Sequence, residues 1–216
     1  MIGDARRSES ELAAALLASA AGGADAVEVR LPGSPAAGVY ELTARLRSGT
    51  AGLATQVIVN DRMDVAVAAG AHGVHLGGRS LPLAAALAVR RRARWDGLIG
   101  RSVHSVPEAL EAEAQGADYL RFGHVFASAS HPVEAPRGLE ALARVVGAVG
   151  VAVVAIGGID ASNVDAVLAT GCSGVAVIGA VMAQADPARA AARLLHRLEA
   201  ALTPPRVLFP RSRQGV

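Results

Sequence analysis

Lysine is missing from this chain, so all 21 of its Lys-plus-Arg positions are arginine. A guanidinium stays protonated at neutral pH and cannot form a Schiff base, which excludes the lysine-dependent aldolases and their relatives. Cysteine occurs once, at Cys172, leaving no disulfide framework and no cysteine metal cage within the chain. Aromatic residues make up 3% of the sequence, too few for a base-stacking platform on single-stranded nucleic acid. No apolar run is both long enough and charge-free enough to span a membrane, and no early segment carries the pattern of an export signal. The expected setting is cytoplasmic, with neither a membrane nor a nucleic acid as partner. The net charge of +2 is small. The pI near 9.3 coincides with two local clusters, Arg90-Arg91-Arg92-Arg94 and Arg206-Arg211-Arg213, read as a solvated helix end and a loose tail.

What is present is aliphatic. With 52% hydrophobic residues over 216 positions, the chain can bury one sizeable core built from Ala, Val, Leu and Ile. That is the composition of parallel strands covered by helices. A short pattern recurs at Gly23-Ala24-Asp25, Gly70-Ala71-His72, Gly116-Ala117-Asp118 and Gly171-Cys172-Ser173. Each follows an Ala-rich stretch and precedes a short apolar run, so the first glycine suits a helix C-terminus with positive φ. Intervals of 47, 46 and 55 residues fit two βα units each. Four joints therefore imply about eight strands, the count of a TIM (β/α)8 barrel.

Strands are expected at 26–31, 56–60, 73–76, 98–103, 119–125, 152–156 and 174–178. The eighth should come first, yet Met1 to Glu11 holds no apolar run, so the first strand is expected to be missing or irregular. Ser105-Val106-Pro107-Glu108 reads as a capping box, and Asp61 and Asp160 are expected to cap the helices that follow them. The barrel is expected to fill residues 1–202, with a flexible basic tail over 203–216.

Barrel active sites lie at the C-terminal strand ends. Polar residues follow nearly every apolar run here: Arg30, Asn60 and Asp61, His75, Ser102 and His104, and His124. Gly157-Gly158 and Val177-Ile178-Gly179 follow the last two strands, where backbone amides attract phosphate. His124 could move a proton near neutral pH, and His104 is expected in a supporting position. Asp61 could hold Mg²⁺, although the next loop offers only Ser80 where a second carboxylate would help.

These residues carry a resemblance. Ile58-Val59-Asn60-Asp61-Arg62, Gly73-Val74-His75-Leu76-Gly77, Gly100-Arg101-Ser102-Val103-His104-Ser105, Phe122-Gly123-His124-Val125-Phe126, Val154-Ala155-Ile156-Gly157-Gly158-Ile159 and Gly174-Val175-Ala176-Val177-Ile178 are similar, in order and spacing, to the thiamine phosphate synthase superfamily. The resemblance runs from about Ala24 to Leu195. Synthases of that superfamily join a pyrimidine methyl diphosphate to a thiazole phosphate with Mg²⁺. Against their pattern, a lysine position looks like Pro32, a carboxylate position is Ser80, and the Ser128-Ala129-Ser130-His131 loop has no lysine. Gly123-His124 resembles the thiazole tautomerase branch, where synthases usually carry proline after the glycine.

The resemblance therefore implies a tautomerase, an isomerase that aromatises a carboxylated thiazole phosphate without cofactor or metal. His124 would be the catalytic residue in that reading. Arg30, Asn60, Ser102, Gly157, Gly158, Val177, Ile178 and Gly179 would bind substrate and phosphate, with His104 and Asp61 behind them. Two alternatives stand beside it: the synthase, with Mg²⁺ on Asp61, and a non-catalytic regulator that binds thiazole or thiamine phosphates. The partner is a small phosphorylated thiazole in the main reading, and a homo-oligomer stays open.

Overall fold

The computed structural model describes residues 1–3, 7–128 and 134–201. The expected tail at 203–216 lies outside them. Seven parallel strands follow one another in spatial order: β1 (Ala26–Val29), β2 (Gln56–Asn60), β3 (Gly73–Leu76), β4 (Leu98–Val103), β5 (Tyr119–Gly123), β6 (Ala152–Ile156) and β7 (Gly174–Ala176). Helices intervene at every crossing, from α1 (Glu9–Ala21) and α2 (Ala36–Gly49) through α5 (Val106–Gln115) to α8 (Gly179–Met182) and α9 (Pro187–Ala201). This is a (β/α) barrel short of one full strand.

The start of the chain supplies the remainder. Ile2 forms a single parallel bridge to Glu28 on β1. Glu28 N–H donates to the Met1 carbonyl at 2.8 Å, Gly3 N–H to the Glu28 carbonyl at 3.0 Å, and Ile2 N–H to the Val177 carbonyl just past β7, also at 3.0 Å. Three residues thus span the gap between the two ends of the sheet. The expected irregular first strand is this segment, too short to leave an apolar signature.

Alternation along the strands explains the layers. Val27, Val29, Val57, Val59, Leu120 and Phe122 turn outward into the core shared with the helices, each fully buried. Their neighbours Glu28, Asn60, His75, Ser102 and Arg121 turn inward and line the barrel's cavity. Space inside is created by glycine. A Cβ at Gly100 would lie 2.1 Å from the Tyr119 ring, and one at Gly73 would lie 2.8 Å from Ile58 Cδ1.

The four recurrent glycines Gly23, Gly70, Gly116 and Gly171 all have positive φ, between 59° and 96°, as the joints require. Ser105 caps α5 as expected: its Oγ accepts the Glu108 N–H at 3.4 Å and donates to Glu108 Oε1 at 3.0 Å. Two capping expectations fail. Asp61 does not cap α3 (Met63–Ala68), whose N-cap position is Arg62 with no side-chain bond. Asp160 accepts from Ser162 N and Oγ in a turn before α7 (Val164–Leu168), which begins after Asn163. In both cases an extra turn of chain separates strand end from helix.

Candidate active site

A cavity of about 1260 Å³ opens at the C-terminal strand ends. Arg30, Asn60, Asp61, Ser102, His104, His124, Gly157, Gly158, Val177, Ile178 and Gly179 all line it, so the fold brings every expected site residue to one place. Their roles differ in geometry. Arg30 follows β1 and is half-buried. Asn60 Nδ2 comes within 3.5 Å of the His75 carbonyl at the end of β2. Asp61 adopts φ 68°, a left-handed conformation uncommon outside glycine, asparagine and aspartate. It holds the carboxylate at the cavity's edge where helix capping had been expected.

His104 is exposed, and its Nδ1–H donates to the Gly123 carbonyl at 2.8 Å. Arg137 Nε donates to the same oxygen at 3.1 Å. The pair braces the end of β5. His124 is buried, and its Nε2–H donates to the Glu134 carbonyl at 3.1 Å. That bond ties β5 to the segment leading into α6 (Gly138–Ala148). Gly157 and Gly158 are required partly for packing: a Cβ on the first would lie 2.3 Å from His124 Cβ, and on the second 2.4 Å from the Ala127 carbonyl oxygen. The Val177 side chain belongs to the buried core and its carbonyl is taken by Ile2, whereas Ile178 and Gly179 open α8 toward the cavity.

The interior holds charges that strand-end reasoning missed. Glu28 and Arg121 face one another across the barrel, with both carboxylate oxygens bonded to guanidinium nitrogens. The side chains are 3% and 10% exposed. His75 Nδ1 lies 3.2 Å from the Tyr119 hydroxyl, and its Nε2 lies 2.9 Å from Ser102 Oγ. Burial, together with the Arg121 and Arg101 charges, holds His75 well below the usual imidazole range and therefore neutral. Burial likewise raises the Tyr119 hydroxyl, keeping it protonated. The signal was available: Glu28, His75, Tyr119 and Arg121 occupy inward positions of the period-two pattern, where a packed barrel would carry aliphatics.

Both signs of charge line the cavity, with Glu28, Asp61, Glu134 and Asp160 beside the arginines, and Arg62 is paired with Asp64. Arg62, Arg79 and Arg193 join Arg30 and Arg121 in lining the cavity. Among the described residues no cluster of three His, Cys, Asp or Glu could hold a metal. Mg²⁺ nonetheless needs only one or two carboxylates when substrate phosphates complete its shell. Asp61 meets that need, since Glu28 is occupied by Arg121 and Asp160 by its turn. Ser80 Oγ accepts the Gly77 N–H at 2.8 Å, so it shapes its loop as well as facing the cavity. The loop at 129–133, where a lysine had been sought, lies outside the described residues.

Residues 1–181 match the model of the thiamine monophosphate synthase family. The chain is 46% identical over 184 residues to the thiamine-phosphate synthase of Anaeromyxobacter dehalogenans, covering 85% of this chain and 81% of that one. It is 45% identical over 184 residues to the thiamine-phosphate synthase of Methanoculleus marisnigri, covering 85% and 86%. Among solved structures, thiamine phosphate pyrophosphorylase from Pyrococcus furiosus superposes with a TM-score of 0.84 at 39% identity, covering 93% of this chain and 95% of that one. A 3-hexulose-6-phosphate synthase, at TM-score 0.68 and 22% identity, shares the fold.

These relatives carry the synthase name and overturn the expected tautomerase branch, and with it the isomerase class. The physical reason lies in how positive charge was counted. Lysines were sought at two motif positions, whereas arginines from separate strands, loops and α9 converge on the cavity. Guanidinium binds phosphate oxygens in a bidentate fork, so it replaces lysine at such a site.

Proposed function

We propose, on the premise that this chain belongs to the thiamine monophosphate synthase family, that it is a transferase joining a pyrimidine methyl diphosphate to a thiazole phosphate. The observation that carries the reading is one cavity of about 1260 Å³ lined by Arg30, Arg79 and Arg193, together with Arg62 and Arg121, which are paired with Asp64 and Glu28. Single small ligands fill roughly 300–1,000 Å³, so the volume suits two substrates side by side, and the guanidinium groups on the lining suit phosphate oxygens.

In the proposed step the thiazole nitrogen forms a bond to the pyrimidine methylene. The carbon–oxygen bond to diphosphate breaks, and its electron pair leaves with the diphosphate. Negative charge therefore grows on the leaving group, and preorganised cations and donors there lower the barrier. Arg30, Arg62 and Arg79 on the first loops, with Asn60 and Ser102, are assigned to the diphosphate. The backbone at Gly157-Gly158 and at Val177-Ile178-Gly179 is assigned to the thiazole phosphate. Asp61 would hold Mg²⁺, which when bound adds positive charge to the diphosphate oxygens. No proton shuttle is needed, so His124 is assigned to holding the loop at Glu134.

The test is direct. Purified protein given both substrates and Mg²⁺ should release one diphosphate per molecule of joined product, and a chelator should abolish release. Asp61→Asn should lose at least about a hundredfold in kcat, with both substrates still binding. Tight binding of both substrates without any coupling would refute the transferase and leave a binding protein.

A further inference from the structure

Arginines line the cavity from two directions. Arg30, Arg62, Arg79 and Arg121 come from β1 to β5 and the loops after them, whereas Arg193 comes from α9. Arg62 is paired with Asp64 and Arg121 with Glu28. Arg193 is exposed and forms no ion pair or hydrogen bond among the described residues.

The position of α9 decides which loops Arg193 can serve. That helix packs against α7 and α8, the elements that follow Gly157-Gly158 and Val177. Ala190, Arg193, Leu194 and Arg197 lie three or four residues apart and so share a face of the helix. Ala190 and Leu194 line the cavity beside Arg193, and Arg197 is paired with Asp165 on α7. Arg193 therefore stands one turn before that anchor, on the side of the two loops assigned to the thiazole phosphate. Those loops offer donors without net charge. The N–H groups of Gly158, Ile178 and Gly179 donate to no atom of the described residues. Amides can hold phosphate oxygens, yet a phosphate monoester near pH 7 carries about −1.5 to −2 charges. Asp160 on the first of these loops is bonded to Ser162, not to Arg193.

We infer that Arg193 is the side-chain cation of the thiazole-phosphate subsite, reaching from α9 to a phosphate held on these amides. It makes the site selective for a phosphorylated thiazole over the unphosphorylated alcohol. Guanidinium matches phosphate oxygens in a bidentate fork, and no other partner occupies this one. That the ligand is a thiazole phosphate rests on the proposed transferase. The preference for a phosphate monoester at this end of the cavity does not.

Titration calorimetry on Arg193→Ala tests the inference with two probes, the thiazole phosphate and the same thiazole bearing a free hydroxyl. The parent protein should bind the phosphate more tightly. In the variant the Kd for the phosphate should rise about ten- to hundredfold, as for a lost charge-assisted hydrogen bond. The Kd for the alcohol should stay as in the parent. In turnover the KM for thiazole phosphate should rise likewise, with the KM for the pyrimidine diphosphate unchanged. Alanine favours helix, so an unchanged unfolding midpoint should accompany these shifts. Equal weakening of both probes would mean that Arg193 only shapes the cavity, and an unchanged phosphate Kd would remove it from the subsite. Either result overturns the inference. So would a parent with no preference for the phosphate, or a rise confined to the pyrimidine diphosphate. Absence of coupling in the parent, with the phosphate preference present and lost in the variant, would count against the transferase and leave Arg193 in place. Normal coupling in the parent, with the variant's phosphate affinity unchanged, would do the reverse.

Discussion

Arg121 and Glu28 illustrate how much a single buried pair demands. Two charges are taken out of water inside the barrel, and each is stable there only because the other is present. Glu28→Gln leaves the guanidinium uncompensated and should destabilise the protein by about 3 kcal/mol, measured by denaturant unfolding. The apolar double variant Glu28→Leu with Arg121→Met should restore stability to near the parent value. A double variant as unstable as Glu28→Gln would show that the pair does more than neutralise itself. His75 and His72 make a second residue-scale case. Both are pulled below the usual imidazole value, His75 by burial with Arg121 and Arg101, His72 by burial with Arg47. The unfolded chain, with histidine near 6.5, therefore binds protons before the folded one does. Their contribution to stability is full above pH 6.5 and is lost as pH falls toward the folded values. Unfolding free energy should drop between about pH 6.5 and 5.5, by up to about 1.4 kcal/mol per unit from His75 and by less from the half-buried, solvent-screened His72. A rise over that window would contradict the neutral assignment.

Strands act as units through their alternation. In β3 to β5 the outward residues Val74, Ile99, Leu120 and Phe122 are fully buried against helices, while the inward ones carry the polar side chains. Glycine makes this possible at the crowded level of the barrel, where Gly100 and Tyr119 are register partners on β4 and β5. Gly100→Ala would push a Cβ into the Tyr119 ring, only 2.1 Å away. Overpacking of this kind costs about 1–3 kcal/mol, and it should also move the Tyr119 hydroxyl from His75. The expected outcome is a lower unfolding midpoint together with a fall in kcat. A stable variant with parent kinetics would show that the barrel widens freely there.

At the scale of the whole molecule, closure depends on very little chain. Ile2 is 2% exposed, and its backbone bonds β1 to the residue after β7. Ile2→Ala removes apolar packing at the seam and should cost about 2–4 kcal/mol, read from the unfolding midpoint in denaturant. The same closure gathers the cavity's cations. Arg30, Arg62, Arg79, Arg121 and Arg193 are scattered over the chain, and only the ring of strands and α9 places them around one volume.

Local chemistry was legible without any structure. Helix-ending glycines, the Ser105 cap, short aliphatic strands and polar strand ends are each dictated by neighbours a few residues apart, so spacing alone placed the barrel and the residues at its mouth. The missing first strand, the inward ion pair, the His75 hydrogen bonds and the shared arginine lining depend on residues brought together from opposite sides of the ring. The tautomerase expectation was overturned by the synthase relatives. His124, expected as a proton carrier from its place after β5, donates to a carbonyl ten residues on. Counting arginines along a chain does not say which of them share a cavity, because Coulomb interactions follow distance in space.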